Sequence, residues 1–116
     1  MSMLTDFKAL VGSLVAGRVY PQGAASAMTP YITYFRETAI EQVTIDHNGG
    51  TGNLVNTRLQ VDVWAGTYGA SQELAAEVKA ALKGWVNENI VLVERDSQEP
   101  DTRLHRVMLD VSIWHI

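Results

Sequence analysis

The sequence predicts a two-layer α+β domain, with a mostly antiparallel or mixed sheet of about five strands and two helices packed on one face. Two kinds of pattern lead to this prediction. Over residues 54–65, and again near residue 110, apolar residues alternate with polar ones, as in strands that bury one face. Two other segments repeat apolar residues every three or four positions, which indicates amphipathic helices able to cover that face. Because the chain has 116 residues, we expect one domain spanning residues 1–116.

The first predicted element is a helix near the start of the chain. Its apolar residues recur at helical spacing and are Met3, Leu4, Phe7, Leu10, Val11 and Leu14. Gly12 and Gly17 weaken the end of this helix, because glycine is a poor helix former. The stretch 18–30 is punctuated by proline and glycine and predicts a loop, with a brief extended piece at residues 18–20.

Two strands are predicted next, followed by a flexible connection. Residues 31–38 are rich in aromatic and β-branched side chains, and both alternating sets carry apolar groups. Such a strand is either covered on both faces or lies at a subunit contact. Residues 42–46 predict a weaker second strand, and the Gly- and Asn-rich stretch 46–53 predicts a mobile hairpin connection. We expect it to act as a contact loop formed by His47, Asn48, Gly49, Gly50, Thr51 and Gly52.

The clearest strand, residues 54–65, precedes the second helix and two further strands. Its apolar alternating set consists of Val55, Leu59, Val61, Val63 and Ala65. Residues 71–85 return to helical spacing, and Gly84 fits a C-terminal stop. Residues 90–94 predict a short strand, and residues 105–116 predict a closing strand with a second apolar alternating set.

The polar sides of the clearest strand and of the closing strand carry the same three residue types. These residues are Arg58, Asp62 and Trp64 on the former, and Arg106, Asp110 and Trp114 on the latter. In both strands arginine precedes aspartate by four residues, so neighbouring strands would form a cross-strand charge ladder. Each tryptophan is either covered within the monomer, by a loop or by the sheet's twist, or lies in a subunit interface. We predict that the six residues form a protein interface.

Composition excludes several kinds of site. The chain has no cysteine, so disulfides, thiolate nucleophiles and cysteine-based metal sites are excluded. A net charge of −4 at pH 7 disfavours nucleic acid as the main partner. Asp6 and Lys8 interrupt the apolar residues near the start, so this segment predicts neither a signal peptide nor a membrane span.

Candidate catalytic groups do not converge in the sequence. His105 and His115 share one side of the closing strand, but about ten residues of strand place them roughly 33 Å apart. The glycine run at 49–52 lacks the lysine and the following helix of a phosphate loop. Asp62 and Asp110 each have an arginine on their own side, which predicts ionised partners and not a raised pKa. We therefore predict no catalytic, cofactor-binding or metal-binding residues.

Segments along nearly the whole chain resemble the tail terminator, or tail completion, proteins of long-tailed bacteriophages and prophages. The matching stretches are RVYP at 18–21, PYITYFR at 30–36, GG-x-G at 49–52, RLQVDVWAGTYGAS at 58–71, LAAEVKAALKGW at 74–85 and RLHRVMLDVSIWH at 103–115. Each stretch alone is weakly specific. Their combination in this order, with VDVWA before a helix and LDVSIWH at the end, is more specific.

This resemblance implies a structural protein that is not an enzyme and carries no cofactor. In such proteins, subunits close into a ring, commonly a hexamer, that caps the tail tube, ends its growth and offers a surface for the head. The implied partners are further copies of the chain, the tail tube protein and head–tail connector proteins, with neither nucleic acid as main partner nor a membrane. The isolated subunit could be a monomer.

The implied location is the bacterial host cytoplasm during assembly, and then the virion tail. From the residues alone, two other functions stay open. One is a stand-alone ligand-binding or regulatory α+β domain that uses the tryptophan-bearing face as a pocket wall. The other is a small enzyme.

Overall fold

A computed structural model describes residues 3–23, 28–43 and 53–116 of the chain. In chain order its elements are α1 (Met3–Gly12), a 3-10 turn (Ser13–Val15), β1 (Val19–Pro21), β2 (Tyr31–Val43), β3 (Asn53–Ala65), α2 (Tyr68–Lys83), β4 (Asn89–Gln98) and β5 (His105–His115). The predicted contact loop at residues 47–52 lies outside the described residues, so it stays a prediction.

The strands form one mixed sheet in the order β1-β2-β3-β5-β4. β1 runs parallel to β2, and the other neighbouring pairs are antiparallel. The predicted fold class is therefore confirmed, although the strand boundaries differ. The strand predicted at 31–38 and the first two residues of the one predicted at 42–46 belong to a single strand, β2, and residues 44–46 lie outside the described residues. The extended piece predicted at 18–20 corresponds to the parallel edge strand β1.

Each of two strands contains an irregularity that leaves one residue without a partner. In β2, Arg36 pairs with Leu59 and Thr38 pairs with Arg58, so Glu37 is skipped. In β4, Val91 and Val93 pair with consecutive residues of β5, so Leu92 is skipped. Arg36, Leu59, Val111 and Val91 are paired in one row across the four strands, and each β-bulge follows directly after the residue of its own strand in that row.

Both helices pack on the same face of the sheet. The buried core contains Phe7 and Val11 from α1, together with Val78 and Leu82 from α2. It is completed by the apolar alternating sets of the central strands, which are Leu59, Val61 and Val63 of β3 and Val107, Leu109, Val111 and Ile113 of β5. These side chains form one cluster with the helices, which confirms the prediction of a two-layer domain with helices on one side.

The boundaries of α2 follow from its caps. The hydroxyl of Thr67 accepts a hydrogen bond from the amide of Ala70, so the helix begins at Tyr68, three residues before the predicted start. Gly84 is the C-cap, as predicted, and its amide donates to the carbonyl of Ala80. Across the described ranges, the helices are too short or too polar to cross a membrane.

Candidate functional site

The side of the sheet opposite the helices, hereafter the open face, carries the repeated residues of β3 and β5. Because these two strands are antiparallel neighbours, their polar sides form one continuous surface. Along that surface the charged side chains follow in the order Arg58, Asp110, Asp62, Arg106. Two carboxylates thus lie between two guanidinium groups, and the predicted cross-strand ladder forms.

Each arginine of the ladder bonds the aspartate of the opposite strand. Arg58 donates two hydrogen bonds to the Asp110 carboxylate, from Nε to Oδ1 at 3.2 Å and from Nη2 to Oδ2 at 2.5 Å. Arg106 donates from Nε to Asp62 Oδ1 at 3.1 Å, and Gln60 donates to the other oxygen of Asp62 at 3.1 Å. Charge-assisted bonds of this kind orient both partners, so the centre of the open face is internally neutralised.

Polar groups are buried on the open face without a helix above them. Asp62 is 2% exposed and Thr33 is 3% exposed, while Asp110 and Ser112 are 9% and 6% exposed. Longer side chains of the same strands cover them. The aspartates bind the arginines described above, Asn56 donates to the Ser112 hydroxyl at 2.8 Å, and Trp64 donates to the Thr33 hydroxyl. These bonds compensate the loss of water that burial of the polar groups entails.

Burial raises the pKa of Asp62 above its ordinary value of 3.8, because desolvation outweighs the hydrogen bond from Gln60 and the charge and hydrogen bond of Arg106. The prediction that pairing prevents a raised pKa was therefore wrong for this residue. Spacing revealed the partner but not the degree of dehydration. For Arg58, the hydrogen bond and then the charge of Asp110 raise the guanidinium pKa.

Trp64 is held within a stack of side chains at one end of the open face. Its ring lies parallel to that of Tyr31, with centroids 5.8 Å apart, and the guanidinium of Arg106 lies 5.4 Å from the Trp64 ring. The indole nitrogen donates to the hydroxyl of Thr33 at 3.0 Å, and Tyr20 packs beyond Tyr31 at 6.4 Å. Neighbouring side chains thus cover much of Trp64 within the monomer, and part of it stays accessible.

Trp114 lies at the opposite end of the same face. Trp64 is opposite Arg106, whereas Trp114 is opposite Asn56, eight positions farther along β3. At about 3.3 Å per residue, the two tryptophans are roughly 26 Å apart along the strands. Trp114 borders an apolar hollow of about 610 Å³ lined also by Leu54, Val86, Asn87, Glu88, His115 and Ile116. The six predicted interface residues therefore form a central ladder with one tryptophan at each end.

Exposed apolar side chains on the outer strands flank the ladder. For the strand at 31–38 the sequence predicted either cover on both faces or a subunit contact, whereas the exposed residues of β4 were not predicted. Phe35 and Ile40 of β2 are 45% and 56% exposed, and Ile90 and Val93 of β4 are 52% and 40% exposed. Their cross-strand partners place all four on the open face. An uncovered surface with apolar flanks and terminal tryptophans has the composition of a protein contact.

The loop after β4 adds carboxylates beside Trp64. A hollow of about 340 Å³ there is lined by Asp62, Glu99 and Asp101, with Arg106 as the basic side chain. Arg106 reaches Glu99 at 3.5 Å as well as Asp62. Burial and then the charge of Glu99 raise the pKa of Tyr31 in its wall. This end of the open face consequently carries excess negative charge.

The described residues show no arrangement suited to metal binding. Within residues 3–23, 28–43 and 53–116, no three histidine or carboxylate side chains converge as a metal site requires. His115 Nε2 lies 2.8 Å from the hydroxyl of Thr57, and His105 packs edge-on against Tyr68 with ring centroids 6.1 Å apart. The two histidines lie at opposite ends of β5, as predicted, and His47 falls outside the described residues.

Comparison with known proteins identifies a matching family model and similar solved structures. The sequence profile of the family described as tail completion protein gp17 matches residues 5–116. A solved chain from the virion of a native gene transfer agent particle superposes with a TM-score of 0.61 and 17% identity, covering 93% of this chain and 82% of that chain. Identity this low shows a shared fold alone. No curated protein sequence matches the chain.

Proposed function

This chain belongs to the tail completion protein gp17 family, and from that premise we propose that it works as a ring subunit which caps the tail tube. The family gives the broader role, which is structural and belongs to phage tail assembly. The proposal adds that the ring, commonly a hexamer in related proteins, ends growth of the tube and prepares it for head joining. Its partners are further copies of the chain, the tail tube protein and head–tail connector proteins.

The observation that carries this proposal is the open face. Helices cover one side of the sheet, whereas the other side exposes Phe35, Ile40, Ile90 and Val93. Exposed apolar groups of this kind are typical of a surface that contacts another protein. The neutralised ladder adds geometric specificity, because a partner must match its fixed pattern of donors and acceptors. We propose that Arg58, Asp62, Trp64, Arg106, Asp110 and Trp114 contact either a neighbouring subunit or the tube.

The same proposal assigns no chemistry to the chain. The carboxylates at the centre of the open face are bound to arginines, so none is free to serve as a general base in this conformation. The subunit would be made in the host cytoplasm and retained in the virion tail. Assays for hydrolysis or group transfer should give no activity above a buffer blank.

Replacing Trp114 with alanine tests the interface. Trp114 borders a solvent-open hollow, so the subunit should stay folded by circular dichroism. Ring formation or tail completion should fail, because an interface tryptophan contributes about 2 kcal/mol or more per contact. Trp64→Ala should act in the same direction but also lower stability, since it removes the stack with Tyr31.

Trp85→Ala is the matched control. Trp85 packs against Phe7 on the helix side, at 6.3 Å between ring centroids. This variant should lose stability, yet the fraction that folds should still complete tails. If Trp114→Ala folds and completes tails normally, the open face is not the interface at that end; if it unfolds, the tryptophan belongs to the core.

A further inference from the structure

The sheet ends on both sides in edges that no described strand covers. β1 pairs with Ile32, Thr33 and Tyr34 of β2, and beyond Tyr34 the outer edge of β2 has no strand partner in the described ranges. Likewise, within the described residues, β4 pairs on its inner side with β5 and has no neighbour on its outer side. Residues 35–40 and 92–98 are all exposed. Uncovered edges offer backbone donors and acceptors to a further strand.

These two edges expose apolar side chains beside charged ones, which are Arg36 and Glu37 on β2 and Glu94, Arg95 and Asp96 on β4. β4 exposes Ile90, Leu92 and Val93 in four consecutive positions, with Leu92 47% exposed. β2 exposes Phe35 and Ile40 at its free part. Proteins usually protect such edges with charge, proline or a covering segment, so apolar residues on both edges indicate contact with a partner strand.

The strand directions make the two edges of one chain complementary to each other. β2 and β5 run in the same direction, and β4 runs opposite to both. If copies follow one another around a ring with their open faces on the same side, β4 of one copy meets β2 of the next in antiparallel sense. The register that sets Ile90 opposite Ile40 brings apolar beside apolar. It also sets Glu94, whose carboxylate binds Lys79 at 2.9 Å within its own chain, opposite Arg36.

We infer that β4 of one copy pairs with the free part of β2 in the next copy, so that the sheet continues from subunit to subunit. This inference rests on the proposed ring function and specifies its contact. The contact is head-to-tail, because two different edges meet, and a head-to-tail contact can close into a ring. The charge ladder lies on β3 and β5, one strand inside each of these edges, so it stays available for the tube.

The absence of cysteine makes this arrangement directly testable by disulfide cross-linking. Ile40 and Ile90 of one chain lie three strand spacings apart, about 14 Å or more, whereas a disulfide needs Cα atoms within about 7 Å. A disulfide in the double variant Ile40→Cys/Ile90→Cys therefore forms between copies. Ile40→Cys/Leu92→Cys makes the test independent of a small change in register.

Both double variants would be concentrated, oxidised mildly and separated on non-reducing gels, with light scattering and electron microscopy of the same samples. At least one should give a ladder that extends beyond the dimer and collapses on reduction. The matched control Ile40→Cys/Gln98→Cys places its second thiol at the far end of β4 and should give no ladder.

Three outcomes would overturn the inference. A product that stops at the dimer indicates a two-fold contact, since both thiols of each copy are then satisfied within the pair. Rings that form without cross-links show that the ring function stands while the edges are not its contact. No multimer at high protein concentration or on added tail tubes removes the ring function and the edge contact together.

Discussion

The two faces of the sheet bury their central residues by different means. On the helix side, Leu59, Val61 and Leu109 are fully buried beneath α1 and α2. On the open face, Asp62 and Asp110 reach nearly the same burial under arginine and glutamine side chains of the sheet itself. One side is sealed by apolar packing between layers, and the other by a single layer of hydrogen-bonded side chains.

This difference separates the residues that hold the fold from those that offer a contact. Apolar packing between layers resists change, because each buried methylene contributes to stability. A layer of long side chains can change rotamer and meet a partner while the backbone stays in place. We therefore expect substitutions on the helix side to act on folding, and substitutions on the open face to act mainly on assembly.

The largest effect should come from comparing two isoleucines of β2. Ile32 is fully buried on the helix side, whereas Ile40 is 56% exposed on the open face. Ile32→Ala should lower the free energy of unfolding by about 3 kcal/mol through lost burial and a cavity. Ile40→Ala should lower it by less than about 1 kcal/mol. Urea denaturation of both variants measures the difference, and equal losses would contradict the division between faces.

A smaller effect should distinguish the two arginines of the ladder. Arg106→Ala leaves the Asp62 carboxylate, whose side chain is 3% exposed, with Gln60 as its remaining partner. We expect a loss of about 2 kcal/mol, below the range for a fully buried pair because Arg106 itself is partly exposed. Arg58→Ala should cost less, since Asp110 is more accessible to water at 12% side-chain exposure. The reverse order, in thermal or urea unfolding, would show that Asp62 is not the more dependent carboxylate.

The smallest effect should appear as a pH dependence of Asp62. Its pKa is raised in the folded state, so in the window above 3.8 the native state binds more protons than the unfolded state. The stability that this group contributes is complete below that value and is lost as pH rises through the folded pKa. Asp62→Asn cannot titrate, so its stability relative to the wild type should rise with pH and then level. If the stability of Asp62→Asn instead falls relative to the wild type as pH rises, pairing outweighs burial at this carboxylate.

Side-chain alternation predicted the faces of β3 and β5 well, because each strand has one partner layer and regular pairing. Near residue 19 the sequence predicted only a brief extended piece at residues 18–20, and it did not show that these residues pair with β2 thirteen positions away to form β1. It also ended the fourth strand at residue 94, although β4 continues to Gln98. The polar residues Ser97 and Gln98 have little strand propensity, and pairing with Arg106 and His105 extends the strand.

The candidate site shows the same limit. The repeat of arginine and aspartate predicted the ladder, since residues four apart share a face in any regular strand. The alternation of side chains could not show that the two tryptophans lie at opposite ends of the open face, because the position of a residue along a sheet depends on the register between strands. Nor could it show the dehydration of Asp62, which arises from the combined cover of Arg106 and Gln60.

Each of the two bulges inserts one residue into an outer strand and so reverses which face the following side chains occupy. Phe35 and Ile40 are five residues apart, and Ile90 and Val93 are three apart, so regular strands would place each pair on opposite faces. The unpaired Glu37 and Leu92 restore both pairs to the open face. Deleting either single residue would turn one apolar side chain of its strand towards the helices, without altering any side chain of the ladder. The number of residues in each outer strand thus determines which apolar side chains lie on the open face, as the types of residue do.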